Sequence, residues 1–266
     1  MRRKIRSYRQ VVKRLEAVAR NETGLQLKRL GKIKSNPADY DLYLIRSQKA
    51  PRFFRRRICL CAGIHGDEPA GVEAILTLIE DRRRLREILD ELHLTIFPCI
   101  NPYGFEHNTR TNGLGLDLNR QFRSRRPPVE VSLVKQAIGR TCYDLAMEFH
   151  EDVDTNGFYL YELTAGKEPA WGPLIVEKVG LHWPVNRGEE IEGMKSKNGV
   201  IHRKNQNGSF RQLMQTRPDW PQAFYFFSHG TRHCFTTETP VTLDIKDRAK
   251  IHLTALEVSL RQLTLS

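Results

Sequence analysis

Apolar residues recur along the chain in two patterns, one typical of amphipathic helices and one of buried strands. Val11, Val12, Leu15 and Val18 follow helical spacing with charged residues opposite them, which predicts an amphipathic helix over residues 8–20. The run ICLCAG at 58–63 is apolar throughout, as strands buried on both faces are. The other predicted strands are 25–33, 40–46, 94–100, 143–149 and 234–237, and the other predicted helices are 70–92 and 129–140.

The order of these elements indicates the fold class. Strands alternate with helices, which predicts an α/β fold: a single domain with a mixed, largely parallel central sheet flanked by helices. No internal repeat or linker interrupts the chain. Residues 1–57 are therefore expected to be an N-terminal helix and strand extension of the domain whose main part is 58–266. Ligands of such sheets bind at the carboxyl ends of the strands, so polar residues there are the first candidates for function.

Composition places the chain among ordinary globular proteins. It has 266 residues, of which 39% are hydrophobic and 28% charged, which excludes disordered, collagenous and coiled-coil proteins. No apolar run approaches the roughly 20 residues needed to span a bilayer, and no apolar signal segment follows the basic N-terminus. The five cysteines lie in apolar runs without CxxC spacing, so we expect reduced, buried thiols in a soluble cytoplasmic protein.

The net charge of +12 is concentrated at the N-terminus. Residues 1–57 contain 18 Lys and Arg against 4 Asp and Glu, whereas the rest of the chain is slightly acidic. A basic segment of this kind keeps a nucleic-acid or acidic-surface binder open as one hypothesis. No helix-turn-helix, RRM or zinc-finger pattern accompanies it, so no specific nucleic-acid partner is expected.

Candidate metal ligands follow two of the predicted buried strands. His65 and Glu68, in HGDE, come directly after the strand at 58–63, and His150 follows the apolar run ending at Phe149. Two imidazoles and one carboxylate that leave a fourth position open are the ligand set of a catalytic rather than a structural zinc. Each motif is common by chance when taken alone, and their combination is what favours a metal site.

Further polar residues lie in loops after buried strands. Arg110, Asn119 and Arg120 stand in the Gly- and Asn-rich loop 101–122, where one of the arginines is expected to hold an anionic group of a ligand. Glu238 follows the predicted strand at 234–237. A glutamate at that place, beside a metal, is suited to accept a proton from water.

Six short motifs follow one another along the chain: HGDE at 65–68, NPYG at 101–104, Arg110, DLNR at 117–120, FH at 149–150 and TTE ending at Glu238. In this order, over residues 58 to 240, they resemble the zinc carboxypeptidase superfamily, the funnelins. The compact bacterial members such as the murein peptide amidases are the most similar, and the aspartoacylase and succinylglutamate desuccinylase branch shares two of the motifs.

The resemblance implies a role for each residue. His65, Glu68 and His150 correspond to the ligands of one zinc ion per chain, and Glu238 to the general base and acid. Arg110 corresponds to the arginine that polarises the scissile carbonyl. Asn119 and Arg120 match the pair that binds a substrate carboxylate, and Asp117 the aspartate that holds a zinc-bound imidazole.

The specificity pocket is not assigned by this resemblance. Gly208-Ser209 is similar to a segment lining that pocket, but 29 residues separate Ser209 from Glu238, a longer spacing than in the digestive enzymes. The expected function is zinc-dependent hydrolysis of an amide next to a free carboxylate, in a peptide or a muropeptide. The alternative is a deacylase acting on small N-acyl amino acids.

Overall fold

An eight-stranded mixed sheet forms the centre of the computed structural model, which describes residues 5–21, 24–48, 56–166, 168–204 and 209–265. Its strands follow the order β1-β2-β4-β3-β5-β10-β6-β9, and β7 and β8 form a separate hairpin. The strands are β1 Leu25–Ile33, β2 Tyr40–Ser47, β3 Arg56–Ala62, β4 Leu92–Phe97, β5 Leu145–Asp152, β6 Tyr159–Thr164, β7 Glu190–Ile191, β8 Met194–Lys195, β9 Val200–Lys204 and β10 His233–Pro240.

The middle of the sheet is parallel and its flanks are mixed. Strands β4, β3, β5 and β10 run parallel to one another, β2 joins β4 antiparallel, and β6 joins β10 antiparallel. Strands β3 and β5 are buried along nearly their whole length, as expected where helices cover both faces. The predicted α/β fold with a mixed, largely parallel sheet is confirmed.

Helices cover both faces of this sheet. Helices α1, α2, α6 and α9 pack on one face, and α8 lies on the other, where Gln222 Nε2 is 3.4 Å from Cys61 Sγ. The helices are α1 Tyr8–Asn21, α2 Ala70–Glu80, α3 Arg82–Glu91, α4 Pro102–His107, α5 Val129–Ile138, α6 Gly172–Val179, α7 Ser209–Thr216, α8 Gln222–Ser228 and α9 Ile245–Leu265. No helix among the described residues is long and apolar enough to cross a bilayer.

The N-terminal segment is packed against the rest of the molecule. Tyr8, Val11, Leu15 and Val18 are buried on one face of α1, which confirms the predicted amphipathic helix. Helix α1 contacts α2, β1 and α4, and β1 and β2 are the outermost strands on one side of the central sheet. Residues 1–4, 22–23 and 49–55 of the basic segment lie outside the described residues.

Four predictions are corrected by the structure. The single helix expected over 70–92 is two helices, because Asp81 leaves helical backbone geometry and its carboxylate caps α3 by accepting from Arg84 N at 3.1 Å. Cys142 is exposed rather than buried, since it lies in the loop between α5 and β5. His150 and Glu238 lie within β5 and β10 rather than after them, because backbone pairing of the two strands continues to Asp152 and Pro240.

Candidate metal centre

Three buried side chains, two from the segment that joins β3 to α2 and one from β5, converge at one point. His65 lies in the turn after β3, Glu68 lies just before α2, and His150 lies in β5, the parallel neighbour of β3. Their exposed fractions are 2%, 6% and 2%. One ligand atom from each lies within 4.8 Å of the others, so the structure brings the three predicted ligands together.

The distances between these atoms fit a shared metal ion. His65 Nδ1 lies 2.7 Å from Glu68 Oε1, His150 Nδ1 lies 2.8 Å from Glu68 Oε2, and the two Nδ1 atoms are 3.2 Å apart. Zinc with bonds of about 2.0 to 2.2 Å holds tetrahedral ligand atoms at roughly such separations. Two imidazole nitrogens and a carboxylate oxygen directed at one buried point therefore suit a zinc-type cation.

The imidazole of His65 is oriented from behind by Asp117. His65 Nε2 lies 3.1 Å from Asp117 Oδ1, and this contact leaves Nδ1 to face the cluster. Asp117 also accepts from Asn119 N at 2.9 Å at the start of a short 3-10 turn, Leu118–Arg120. Burial would raise the pKa of Asp117, but its hydrogen bond and proximity to His65 and the charge of Arg110 outweigh that and lower the pKa well below its usual range.

The close contacts within the cluster shift the pKa values of Glu68 and His150. Burial alone would raise the pKa of Glu68, yet the imidazoles of His150 and His65 lower it to about 2. For His150, burial acts to lower the pKa, but the carboxylates of Glu68 and Glu148 raise it well above its ordinary value. Negative charge is thus strongly favoured on Glu68, and positive charge is favoured beside it, which is the electrostatic preference of a cation site.

Glu148 is a neighbour of the cluster that the sequence analysis did not single out. It precedes His150 by two residues on β5 and so shares its face of the sheet, and its exposed fraction is 2%. Glu148 Oε2 lies 3.8 Å from His150 Nε2, the nitrogen directed away from the cluster. The alternation of side chains along a strand was the signal that could have identified it.

Glu238 lies beside the cluster on the next strand. Its backbone is in register with His150 on one side and with Tyr159 of β6 on the other. Burial and the carboxylates of Glu68 and Asp152 raise the pKa of Glu238 to about 8, against the opposing effect of His150. A partly exposed glutamate with such a pKa is suited to exchange protons near neutral pH.

Glu151, in contrast, forms a hydrogen bond and an ion pair within the fold. Its Oε1 accepts from Ala70 N at 2.5 Å, and its Oε2 forms an ion pair with Arg248. Both contacts fix the N-terminus of α2 and the start of α9 to β5. Both carboxylate oxygens of Glu151 are therefore occupied by contacts within the fold.

The predicted arginines both reach the cavity above the cluster. Arg110 donates through Nη1 to Glu68 Oε1 at 3.3 Å and through Nε to Asp117 Oδ2 at 3.1 Å, while much of its side chain remains exposed. Arg120 lies farther out, where its Nε is 3.3 Å from Asp219 Oδ2. The pairing of Arg120 with Asp219 could not be foreseen, because the two residues are 99 positions apart.

Asn119 is more deeply placed than a surface loop residue. It is 6% exposed, and its Oδ1 accepts from Gln222 N at 2.8 Å, which ties the 3-10 turn to the start of α8. Asn119 still lines the cavity together with Arg120 and Arg110. Of the specificity segment noted in the sequence, Gly208 lies outside the described residues.

A cavity of about 960 Å³ opens above the cluster. The metal-ligand candidates, Glu238 and the arginines lie on one side of it, and residues of β6, β9 and the β7–β8 hairpin line another part. A space of this size accommodates a small peptide or an amino-acid derivative.

Sequence comparisons relate part of the chain to known families. The succinylglutamate desuccinylase/aspartoacylase catalytic domain matches residues 55–161. Carboxypeptidase SOL1 of Arabidopsis thaliana is 41% identical over 66 residues, and carboxypeptidase 2 of Trichophyton tonsurans is 27% identical over 139 residues, or 50% of this chain. The matched regions span only 13% and 23% of these relatives' lengths.

Solved structures share the fold over nearly the whole chain. A Shewanella baltica OS155 protein, described provisionally as a metallopeptidase, superposes with a TM-score of 0.77 at 22% identity, covering 95% of this chain and 91% of that one. A metallo-carboxypeptidase from Burkholderia cenocepacia has a TM-score of 0.70 at 16% identity, covering 98% and 70% of the two chains.

The two kinds of comparison agree with the order of motifs along the chain. The family match spans the region from β3 to the first part of β6, which contains the HGDE, NPYG and DLNR motifs. The structural similarity extends to the remaining strands and helices. The motifs, the matched catalytic-domain segment and the fold together confirm the resemblance to the zinc carboxypeptidase superfamily and its aspartoacylase/succinylglutamate desuccinylase branch.

Proposed function

We propose that this protein is a metal-dependent hydrolase that cleaves an amide bond next to a free carboxylate, as metallocarboxypeptidases do. The observation that carries the proposal is the buried His65–Glu68–His150 cluster, which lies on the floor of a cavity next to Glu238. The carboxypeptidases among the relatives support it.

The resident metal of this proposal is one zinc ion per chain. His65, Glu68 and His150 would hold it, with Asp117 and Glu148 behind the two imidazoles. When bound there, the metal supplies Lewis-acid chemistry, because it polarises a carbonyl oxygen and acidifies water. The mixed nitrogen and oxygen ligand set favours zinc over the hard cations calcium and magnesium.

The remaining chemistry comes from side chains of this chain. Glu238 takes a proton from the attacking water and returns it to the leaving amine, for which its position beside His150 on the neighbouring strand is suited. Arg110 places a fixed positive charge at the cluster, where negative charge develops on the carbonyl oxygen. Arg120 and Asn119 bind the substrate carboxylate, and for Arg120 that carboxylate competes with Asp219.

A second candidate function is favoured by the family match. Residues 55–161 match the succinylglutamate desuccinylase/aspartoacylase catalytic domain, whose name indicates the removal of acyl groups from amino acids. A small N-acyl amino acid also presents a carboxylate to Arg120, so this contact does not separate the two candidates. The two substrates differ in the acyl side of the amide bond, which is a peptide in one and a small acyl group in the other.

Parallel assays of the zinc-loaded protein separate these candidates. The substrates are C-terminally free dipeptides and tripeptides, muropeptides, and N-acetyl and N-succinyl amino acids, with released amine as the readout. The proposal predicts the highest kcat/KM on peptides or muropeptides. A preference for N-acyl amino acids by tenfold or more would replace it with the deacylase.

The proposed partners are therefore small peptide-like substrates, with no specific nucleic acid among them. A reducing, cytoplasmic location is part of the proposal, supported by five free cysteines of which four are buried. Retention on DNA that falls with salt in a protein without hydrolytic activity would contradict this assignment of partners.

A further inference from the structure

The sheet carries a second set of residues on the same face as the metal cluster. Glu238 of β10 is in register with Tyr159 of β6, Thr236 with Tyr161, and Cys234 with Leu163. Because alternate residues of a strand share a face, these residues form three successive rows. The first row holds Glu238, and the other two extend away from it along the strands.

Strand β9 continues the second and third rows outward. Ile201 is in register with Tyr161, and Arg203 with Leu163. The cavity is lined by all six residues of these two rows: Tyr161, Leu163, Thr236, Cys234, Ile201 and Arg203. We refer to these six residues as the side pocket. Its surface is mainly apolar and aromatic, with the guanidinium of Arg203 as its charged group.

Arg203 differs in its partners from the other arginines that line the cavity. Arg110, Arg120, Arg217 and Arg248 each form an ion pair with a carboxylate, and the guanidinium of Arg6 is taken up by Gly66 O, Phe105 O and Asn108 Oδ1. Arg203 donates to Met194 Sδ at 2.9 Å, and within the described part of the chain no carboxylate oxygen lies within 4.0 Å of its guanidinium. A partly buried cation in a largely apolar pocket gains most from a ligand that brings an opposite charge.

We propose that Arg203 selects substrates whose released residue carries an acidic side chain. This inference rests on the proposed function, in which Arg120 and Asn119 hold the main carboxylate of that residue. Arg203 lies four residues along the strands from the level of Glu238, roughly 13 Å, and two strands across from β10, roughly 10 Å. The acidic side chain of the substrate and the extended side chain of Arg203 point into this space from opposite ends, and together they bridge a large part of it.

Glu192 places a negative charge in the same cavity, and this charge would disfavour an acidic ligand. It lies in the exposed turn between β7 and β8 and lines the same cavity. Because Glu192 is exposed, water screens its charge more than that of the partly buried Arg203. A pocket governed by Glu192 would instead prefer a basic side chain, so peptides ending in Lys belong in the test.

The test compares matched peptides that differ only in the last residue: Glu, Gln, Leu or Lys. For the zinc-loaded wild type we expect kcat/KM for Glu to exceed that for Gln by about tenfold or more, as a charge-assisted contact provides. Arg203→Gln should reduce this ratio to within about threefold, and Arg203→Lys should retain part of it. Arg83→Gln, which removes a positive charge whose side chain is 90% exposed outside the cavity, is the matched control and should leave the ratio unchanged.

A binding measurement separates this inference from the proposed function. Calorimetry with the metal-free protein and glutarate, a simple dicarboxylate, should give binding that is at least about fivefold weaker in Arg203→Gln than in the wild type. If glutarate binding depends on Arg203 but no peptide is cleaved, the proposed function fails and the side pocket assignment stands. If peptides are cleaved with equal Glu and Gln rates, or with a preference for Lys, the inference is wrong and the proposed function stands.

Discussion

The imidazole of His65 is held on both sides, by Glu68 at Nδ1 and by Asp117 at Nε2. Such a contact from behind fixes which nitrogen is free to bind a metal and makes it more basic. The carboxylate of Asp117 also pairs with Arg110 Nε, so one aspartate positions both a proposed metal ligand and the arginine proposed to act in catalysis. At the scale of the residue, Asp117 is the side chain on which most of the proposed chemistry depends.

Removing this carboxylate should weaken metal binding without abolishing the fold. We expect Asp117→Ala to lower zinc affinity by about 10- to 100-fold, measured by competition with a chromophoric chelator. Asp117→Asn, which keeps an oxygen that can accept from His65, should lose less. Equal zinc affinity in the wild type and Asp117→Ala would show that Asp117 does not orient His65.

Glu238 provides a test of the site's electrostatics in the metal-free protein. Its pKa in the folded state is raised to about 8 from an ordinary value of 4.5, so folding favours the protonated carboxyl. The stability this contributes is fully present below pH 4.5 and is lost as the pH rises through 8. Thermal unfolding should therefore show the wild type losing stability relative to Glu238→Gln between about pH 5 and pH 8, and parallel pH profiles over this range would contradict the raised pKa.

At the scale of the element, the turn after β3 depends on close contact between two loops. Gly66 donates to Thr109 O at 3.1 Å, and a Cβ atom at Gly66 would overlap the backbone of Gly104 and Phe105 in α4. Asn101 caps α4 by accepting from Gly104 N at 2.9 Å. The HGDE and NPYG motifs thus pack directly against each other, and this packing holds His65 and Glu68 in place.

Gly66→Ala should separate these loops. We expect about 1 to 3 kcal/mol of lost stability in urea unfolding, together with weaker zinc binding, because backbone atoms cannot yield as a flexible side chain can. Gly115→Ala is the matched control: its φ is +74°, but the space around it is open, so it should cost only about 1 kcal/mol and leave zinc binding intact. Equal effects of the two substitutions on zinc affinity would contradict the role of the close contact.

The sequence predicted those elements and residues that a local pattern within one segment identifies. Continuous apolar runs indicated β3, β4 and β5, and the motifs indicated the convergence of His65, Glu68 and His150. Strands β6 and β9 were missed, although they form one side of the cavity. Strand β9 is short and is mostly polar, so its pattern resembles that of a loop. Its place is set by pairing with β6, which a single segment does not reveal.

Local sequence patterns also could not predict which residues form ion pairs with the charged side chains of the site. Asp219 reaches Arg120 from the segment before α8, and Arg248 of α9 reaches Glu151 of β5. These contacts join residues about one hundred positions apart, and only the completed fold brings them together. Each of the two carboxylates changes what its arginine is free to bind, so the sequence alone overstates how open the site is.

At the scale of the whole molecule, the N-terminal segment supports the site from outside. Arg6 donates through Nη1 to Gly66 O at 3.0 Å and to Phe105 O at 3.1 Å, and through Nη2 to Asn108 Oδ1 at 2.6 Å. One arginine thus joins the turn after β3 to α4 and to the residue that follows it. The segment before α1 is in this respect a structural part of the domain.

Arg6→Ala should loosen this support. We expect a loss of about 1 to 3 kcal/mol in chemical unfolding, since a charged donor is removed from carbonyl and amide acceptors. Arg9→Ala, at an exposed position of α1, removes the same charge without these contacts and should change stability by less than about 0.5 kcal/mol. Similar unfolding midpoints for the two variants would show that the segment does not support the site.

The most direct test of the whole account is mass spectrometry of one peptide, with a free or an amidated C-terminus, after incubation with the zinc-loaded protein. The account predicts the release of the last residue from the free acid, little or no release from the amide, and a loss of turnover of 10²-fold or more in Glu238→Gln, which should retain zinc. Equal cleavage of both peptides would contradict carboxylate recognition. Absence of cleavage by the zinc-loaded wild type, or full activity in Glu238→Gln, would contradict the proposed site chemistry.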